Sequence, residues 1–370
     1  MMMAFKRFSW GISLFLSVLT LASATADGDY PDYSDVTEEW GPGVEGVIEQ
    51  AYRDCFRTYI IDGRVFTVRM PFAQNNERAE LANGELAVQG GGKADPQVLW
   101  TEIDGLLASD DFKKYVAALA DGKEKAVVFD LSAQSWSTTN DLFNLARIKA
   151  GAYPGLPHKP YILTHGEGIE ASDIYNYIYS IGRLGMDCSG FVWHVLSSIA
   201  REGGLDLSRT LRKSLRAPQS SVASLYFGTW YFKAANKEFI KIKDQIRNLQ
   251  PGDVILFCGE DGAAVHSAVI QSVDRVAGKI RYLQSTDEAP MGDRGVHEST
   301  IHFDPTKPET SLKDPVLDWS QLRLSPFLGE KPSAFHDDGE RYRAFPEVGG
   351  GSVLRLKALA KPIARLGIRK

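Results

Sequence analysis

Hydrophobic residues recur every three or four positions in several stretches of the chain, and this spacing predicts amphipathic helices. The stretches are residues 34–60, 98–119, 139–148 and 191–200. Short runs that alternate or are continuously apolar lie between and after them, which is typical of strands. These runs cover residues 64–70, 126–131, 254–257, 265–273, 280–285 and 296–303. The mixture predicts an α+β protein.

Three closely spaced prolines divide the chain into two units. Pro154, Pro157 and Pro160 predict a linker, because proline favours extended backbone over helix. We therefore expect a small N-terminal α+β domain over residues 27–165 and a second domain over residues 166–346. The N-terminal domain shows no motif with an assignable function. Its glycine-rich residues 90–93 lack the Ser or Thr of a phosphate-binding loop and predict a turn.

Composition and charge exclude several classes of protein. The chain has 370 residues, of which 44% are hydrophobic and 24% charged, as in globular proteins and unlike disordered or polytopic membrane proteins. A net charge of −5 favours no nucleic-acid partner. Residues 353–370, however, contain six basic residues and no acidic residue. We expect a basic C-terminal tail over residues 347–370, interrupted at Pro362, which is either solvated or contacts an anionic envelope surface.

The N-terminus has the features of a secretory signal peptide. Lys6 and Arg7 precede an apolar run over residues 12–22, and small residues follow it. The run is shorter than the roughly 20 apolar residues that a membrane-spanning helix needs. We expect a signal peptide over residues 1–26 and export from a bacterial cell to the periplasm or the medium.

Three cysteines in an exported chain leave at least one thiol outside any intramolecular disulfide. Cys55 falls on the apolar face of the first predicted helix and Cys258 follows the strand at 254–257, and a disulfide between these two is an open possibility. Cys188 stands at the start of the helix that continues over residues 191–200, on the face that carries Val192 and Val195. A helix N-terminus favours a thiolate, so Cys188 is the candidate nucleophile.

His266 is the candidate base, because it begins a strand of the sheet on which the Cys188 helix is expected to pack. Most of the other six histidines are expected to be surface or packing residues, and His194 lies on the far side of that helix. If Ile270 pairs with Ile280 across the next hairpin, His266 faces Gln284, whose side chain would then orient the imidazole. A slip of one residue would turn Gln284 away.

Several blocks of the sequence resemble the signature blocks of the NlpC/P60 peptidases. They are residues 187–192 (DCSGFV), 249–254 (LQPGDV), 266–270 (HSAVI) and 282–285 (YLQS), in the order that the family shows. The resemblance implies a papain-like α+β domain, in which the cysteine helix packs on an antiparallel sheet. It also implies cleavage of peptidoglycan stem peptides, between γ-D-glutamate and a diamino acid, without metal or cofactor.

The resemblance further assigns roles to single residues. It implies that Cys188 is the nucleophile, that His266 is the base and later the acid, and that Gln284 orients His266. Asp187 and Ser189 match residues that help to hold substrate in relatives.

The Tyr-x-Trp-Gly-Gly motif of relatives is missing here, so Tyr177 and Tyr179 are both candidates for the first substrate pocket. This departure leaves two alternatives open: an amidase or acyltransferase acting on a non-wall substrate, and a catalytically silent module that binds the cell wall.

Overall fold

The computed structural model describes residues 32–33, 43–73, 94–119, 126–130, 135–139, 161–163, 168–178, 182, 184–233, 237–259, 262–286, 295–319 and 350–368. The expected signal peptide, the glycine-rich residues 90–93, the linker prolines and Tyr179 lie outside the described residues, as does the predicted helix beyond residue 139. None of the helices in these ranges has the length and apolarity that a membrane span requires.

The described residues contain twelve strands. They are β1 (Asp32–Tyr33), β2 (Phe56–Ile61), β3 (Arg64–Arg69), β4 (Ala126–Asp130), β5 (Ser135–Thr139), β6 (Tyr161–Leu163), β7 (Phe239–Ile242), β8 (Val254–Cys258), β9 (Ala264–Asp274), β10 (Lys279–Thr286), β11 (Gly295–His302) and β12 (Gly351–Leu356). All six predicted strands occur, within a residue or two of their expected bounds.

Eight α-helices accompany these strands in the same ranges. They are α1 (Gly43–Arg53), α2 (Pro96–Leu107), α3 (Asp110–Leu119), α4 (Ala171–Tyr177), α5 (Cys188–Glu202), α6 (Leu207–Leu211), α7 (Thr229–Lys233) and α8 (Ala360–Ile368). The predicted α+β class is therefore confirmed.

A seven-stranded sheet forms the centre of the fold, in the spatial order β1, β7, β12, β8, β9, β10, β11. Neighbouring strands are antiparallel except β1 and β7, which are parallel. Strands β2 and β3 form a separate hairpin, and β5, β4 and β6 form a three-stranded sheet. Strands β8 to β11 are consecutive in the chain, which is why local periodicity predicted this part of the sheet well.

Helix α5 packs on one face of the main sheet. Its predicted apolar stripe is fully buried, at Val192, Val195, Leu196 and Ile199. The stripe belongs to one hydrophobic cluster together with Val254, Val269 and Leu283 of the sheet. The opposite face of the sheet carries a second cluster, which includes Ile255, Phe257, Ile270, Tyr282 and Ile301.

Two predicted helices have different bounds in the structure. The stretch over residues 98–119 forms two helices, because the Ser109 hydroxyl accepts a hydrogen bond from the Phe112 amide at 3.1 Å and caps the start of α3. The stretch over residues 34–60 contains α1, which ends at Arg53. The chain then continues into β2 and turns through Asp62 and Gly63, whose positive φ angles of 51° and 72° suit a tight hairpin.

The boundary expected near residue 165 does not separate two cores. Val44 and Ile48 of α1 belong to the same buried cluster as Val192 of α5. Arg281 of β10 also forms an ion pair with Glu49 of α1 at 2.6 Å. The N-terminal and C-terminal parts of the described chain therefore share one hydrophobic core.

The expectation of a separate basic tail over residues 347–370 is wrong. Strand β12 lies between β7 and β8 in the middle of the sheet, and α8 packs against α1 and α5. Arg355, one of the basic residues of this segment, is buried and donates to both carboxylate oxygens of Asp253, at 2.7 and 2.8 Å. Pro362 is accommodated because it lies in the first turn of α8, where the amide has no partner within the helix.

Candidate active site

Cys188 is the first residue of α5, as the sequence predicted. The preceding Asp187 is the N-cap, and its carboxylate accepts hydrogen bonds from the Gly190 amide at 2.6 Å and the Ser189 hydroxyl at 2.9 Å. Capping of this kind fixes the first turn of a helix. Cys188 itself is 9% exposed. Asp187 and Ser189, expected to hold substrate, are buried and orient the turn that carries the thiol.

The loop before Cys188 is fixed to strand β10. The Met186 carbonyl accepts a hydrogen bond from the Ser285 hydroxyl at 2.6 Å, and the Met186 amide donates to the Pro71 carbonyl at 2.8 Å. Because Ser285 directly follows Gln284, the first of these bonds attaches the start of α5 to the end of β10, and the second attaches it to the segment after β3. The segment after β3 therefore contributes to the surroundings of Cys188, which the sequence did not indicate.

The structure brings His266 and Gln284 into direct contact. His266 lies near the start of β9 and Gln284 near the end of β10, and their side chains are 1% and 0% exposed. His266 Nε2 lies 2.7 Å from Gln284 Oε1. An amide oxygen only accepts hydrogen bonds, so His266 donates from Nε2. The expected contact between these two residues is therefore confirmed.

The register expected for this hairpin is wrong, although the contact forms. Ile280 pairs with Val273, and after an irregularity between Arg281 and Tyr282 the pairing shifts so that Tyr282 faces Ile270. Continued toward Gln284, this register places Gln284 opposite Ala268, two residues from His266 on the same face. Such diagonal neighbours remain within reach of long side chains.

A second histidine completes the polar cluster. The Gln284 amide nitrogen donates to His297 Nε2 at 3.3 Å and to the Ser299 hydroxyl at 3.1 Å. His297 Nδ1 donates in turn to the Gly295 carbonyl at 2.8 Å. From the sequence, His297 is expected to be an ordinary surface or packing residue. The feature that indicates its role is the pairing of β10 with β11, which places His297 directly opposite Gln284.

His266 and α5 lie on different faces of the sheet. His266 pairs with Phe257, and their rings are 5.5 Å apart, on the face that carries Ile270 and Tyr282. Helix α5 covers the other face. Cys188 and the His266–Gln284 pair are therefore placed at the same end of the sheet, where β9 begins and β10 ends, rather than stacked over one face.

Tyr177, a candidate for the substrate pocket, packs within an aromatic cluster. Its ring lies 4.8 Å from Phe112 and 5.0 Å from Tyr115 of α3. Burial raises the pKa of Tyr177 to about 12. Tyr175, by contrast, accepts a hydrogen bond from the Arg69 amide at 2.6 Å, close to the segment that holds the Cys188 loop. A hydrogen bond therefore ties Tyr175 to the end of β3.

The other two cysteines, Cys55 and Cys258, are buried in the fold. Among the described residues, which include all three cysteines, no disulfide bond occurs, so Cys55 and Cys258 are not linked. Cys55 is fully buried just after α1, and its thiol donates to the Ala51 carbonyl at 3.6 Å. Burial raises the pKa of the Cys55 thiol well above its usual value.

The described part of the chain contains no group of three or more His, Cys, Asp or Glu side chains placed to hold a metal ion.

His194 points away from Cys188, and its Nε2 donates to the Ala51 carbonyl at 3.0 Å. His158, His165 and His336 lie outside the described residues.

Comparisons with models of protein families, with curated proteins and with solved structures found no match for this chain.

Proposed function

We propose that the chain is an exported cysteine peptidase with a papain-like catalytic domain of the NlpC/P60 type, which hydrolyses peptidoglycan stem peptides. The bond proposed is the one between γ-D-glutamate and a diamino acid. The observation that carries the proposal is the buried hydrogen bond from His266 Nε2 to Gln284, at the sheet end where the capped α5 begins. A nucleophile, a base and an orienting group are the parts that covalent amide hydrolysis requires.

The hydrogen bond assigns roles to the two nitrogens of His266. Because Nε2 donates to Gln284, Nδ1 is the nitrogen that takes the proton of the Cys188 thiol. The thiolate attacks the carbonyl carbon of the scissile amide, and the imidazolium returns its proton to the leaving amine as the C–N bond breaks. Water then attacks the thioester, His266 takes its proton, and the carboxylic acid leaves while the thiol is restored.

The first turn of α5 supports this reaction electrostatically. The positive end of the helix dipole lies at Cys188 and favours the thiolate over the thiol. Asp187 and Ser189 occupy the cap and keep this turn formed. The wall peptide as substrate and export as location rest on the sequence blocks and on residues 1–26.

The test is a mass spectrum of muropeptides after incubation of purified sacculi with the protein. We expect new products whose masses correspond to cleavage within the stem peptide. Cys188→Ala and His266→Ala should each retain less than about 1% of the activity. Cys55→Ala, which also removes a buried thiol, is the matched control and should remain active. Activity in both site variants would contradict the covalent mechanism.

Replacing Gln284 with Ala should lower kcat less severely, by about 10- to 100-fold, since the imidazole loses orientation but keeps its chemistry. Circular dichroism on the same preparation checks that the fold is retained. Wild-type kcat in Gln284→Ala would mean that the contact with His266 has no role in turnover.

A second candidate is an amidase or acyltransferase that uses the same residues on a non-wall substrate. The packing of the Tyr177 ring against α3 favours this candidate, because the ring is engaged there and not in the substrate pocket that the family resemblance implies. Unchanged sacculi together with rapid labelling of Cys188 by substrate-like thioesters would support this candidate. Binding to sacculi with neither cleavage nor acylation would instead indicate a silent wall-binding module.

A further inference from the structure

The polar cluster around Gln284 contains a residue, His297, to which the proposed mechanism gives no role. Gln284 donates from its amide nitrogen to His297 Nε2, while His297 Nδ1 donates to the Gly295 carbonyl. His297 and Gln284 are 1% and 0% exposed, and their strands pair so that these two residues face each other. Both side chains are therefore held in a buried, hydrogen-bonded arrangement.

The carbonyl of Gly295 determines which nitrogen of His297 carries the proton. A carbonyl only accepts hydrogen bonds, so Nδ1 is protonated, and in the neutral imidazole Nε2 then only accepts. Because His297 Nε2 is an acceptor, the NH2 group of the Gln284 amide faces it, and the amide oxygen does not. The amide oxygen is thereby turned toward His266, which must donate from Nε2.

We propose that His297 is a positioning residue, which fixes the amide orientation of Gln284 and through it the tautomer of His266. Only this tautomer leaves Nδ1 of His266 to accept a proton from Cys188. The consequence for turnover rests on the proposed function, whereas the tautomer itself does not.

Ser299 does not have the same effect, although it also contacts the amide of Gln284 at 3.1 Å. A hydroxyl donates or accepts by rotating its proton, so it suits either orientation of the amide. The unprotonated nitrogen of His297 suits only one. With the amide flipped, two acceptors would face each other at His297, and the amide nitrogen would face Nε2–H of His266, so that two donors would meet there.

The test measures the tautomer of His266 directly by long-range ¹H–¹⁵N NMR on protein labelled in histidine. It is made in a Cys188→Ser background, which removes the thiol from the site, at pH 8, which lies above the ordinary pKa of histidine. In this parent protein we expect His266 to be protonated on Nε2 and His297 on Nδ1. The opposite tautomer at either residue would overturn the proposal without any further variant.

A matched pair of variants isolates the acceptor. In His297→Gln the side-chain oxygen takes the place of Nε2, whereas in His297→Asn the shorter amide keeps the contact with Gly295 and provides no acceptor to Gln284. We expect His266 to remain protonated on Nε2 in His297→Gln and in Ser299→Ala. In His297→Asn it should become a mixture of tautomers. A single unchanged tautomer in His297→Asn would contradict the proposal.

Turnover gives an independent measurement in the Cys188 protein. His297→Asn should lower kcat by about tenfold, the loss expected for one hydrogen bond, while KM changes little. His297→Gln should restore most of kcat. Loss of the tautomer in a protein that cleaves no wall peptide would reject the proposed function and leave the positioning role intact. An unchanged kcat in His297→Asn would reject the role in turnover.

Discussion

At the scale of single residues, Cys55 and Cys188 differ in the surroundings of their thiols, and we expect this difference to determine their reactivity. Cys55 is completely buried, and burial raises the pKa of its thiol. Cys188 has the same chemical group at the start of a capped helix, where backbone amides and the helix dipole favour the thiolate. Position in the fold therefore separates a candidate nucleophile from a packing residue.

Iodoacetamide at neutral pH should modify Cys188 first and Cys55 last, because alkylation requires an accessible thiolate. Mass spectrometry of tryptic peptides taken over time measures the three rates. The variant Cys188→Ala should lose the fast phase and keep the slow ones. Faster modification of Cys55 than of Cys188 would contradict the burial described here.

At the scale of elements, α5 is fixed at its start by one side chain and along its length by another. Asp187 caps the first turn through the Gly190 amide. His194 lies about two turns further along the helix and donates to the Ala51 carbonyl of α1. The first contact determines where Cys188 sits, and the second attaches the helix to the N-terminal part of the chain.

Replacing Asp187 with Ala should destabilise the protein by about 1 kcal/mol, because the first turn loses its cap. Asp187→Asn should cost only a few tenths of that, since asparagine caps almost as well. Urea denaturation measures both free energies of unfolding.

Asp206→Ala is the control for the Asp187 variants, because Asp206 caps α6 through the Arg209 amide. It should lower stability without slowing alkylation of Cys188, whereas Asp187→Ala should slow that alkylation as well. Equal alkylation rates in all variants would show that the cap does not affect the thiol.

The contact of His194 with α1 predicts a dependence of stability on pH. Burial lowers the pKa of His194 in the folded protein, partly offset by the Ala51 hydrogen bond and the charges of Asp54 and Asp95. The unfolded chain therefore binds the proton more readily, and stability falls as the pH drops below about 6.5, the ordinary pKa of histidine.

Replacing His194 with Gln keeps a donor for the Ala51 carbonyl and removes the titrating group. The free energy of unfolding, measured in urea between pH 7.5 and 5.5, should decline more steeply in the wild type than in His194→Gln. Parallel curves would mean that protonation of His194 does not contribute to acid destabilisation.

At the scale of the whole molecule, the last described segment of the chain is an integral part of the main sheet and of the core. Strand β12 separates β7 from β8, and its Arg355 forms the buried ion pair with Asp253. Helix α8 lies so close to α5 that a side chain at Gly203 would meet Pro362 at 2.2 Å. Residues 351–368 therefore belong to the folded core.

Truncation after Gly350 should abolish cooperative folding, because it removes a central strand and leaves Asp253 buried without its cation. Thermal unfolding followed by circular dichroism, together with yield of soluble protein, measures this. Truncation after Ile368 removes the two terminal basic residues, leaves α8 intact and should unfold like the full chain.

A stable, cooperatively folded protein ending at Gly350 would contradict the central position of β12. For the same reason, this truncation cannot test the predicted contact with an anionic surface. That prediction is tested by replacing the exposed Lys357 and Lys361 with Gln and measuring co-sedimentation with anionic vesicles at low salt.

The sequence by itself determined the elements whose signals are local. Helix α5 and strands β8 to β11 follow from apolar periodicity, which also places Cys188 at the start of the helix. The contact of His266 with Gln284 was also predicted, because the two consecutive strands of a hairpin lie side by side.

Tertiary structure decided the features that depend on distant or irregular contacts. The shift of register between Arg281 and Tyr282 leaves no periodic signal in the sequence. The prediction that His266 lies directly opposite Gln284 is therefore wrong, whereas the prediction of their contact is confirmed. The sequence of strand β12 predicts a tail, because its apolar residues are interleaved with basic ones. Its Arg355 is buried only because Asp253, about a hundred residues earlier, supplies the compensating charge. The place of His297 in the site also depends on tertiary structure, because the register of β10 and β11 puts it opposite Gln284. Composition does not determine that register.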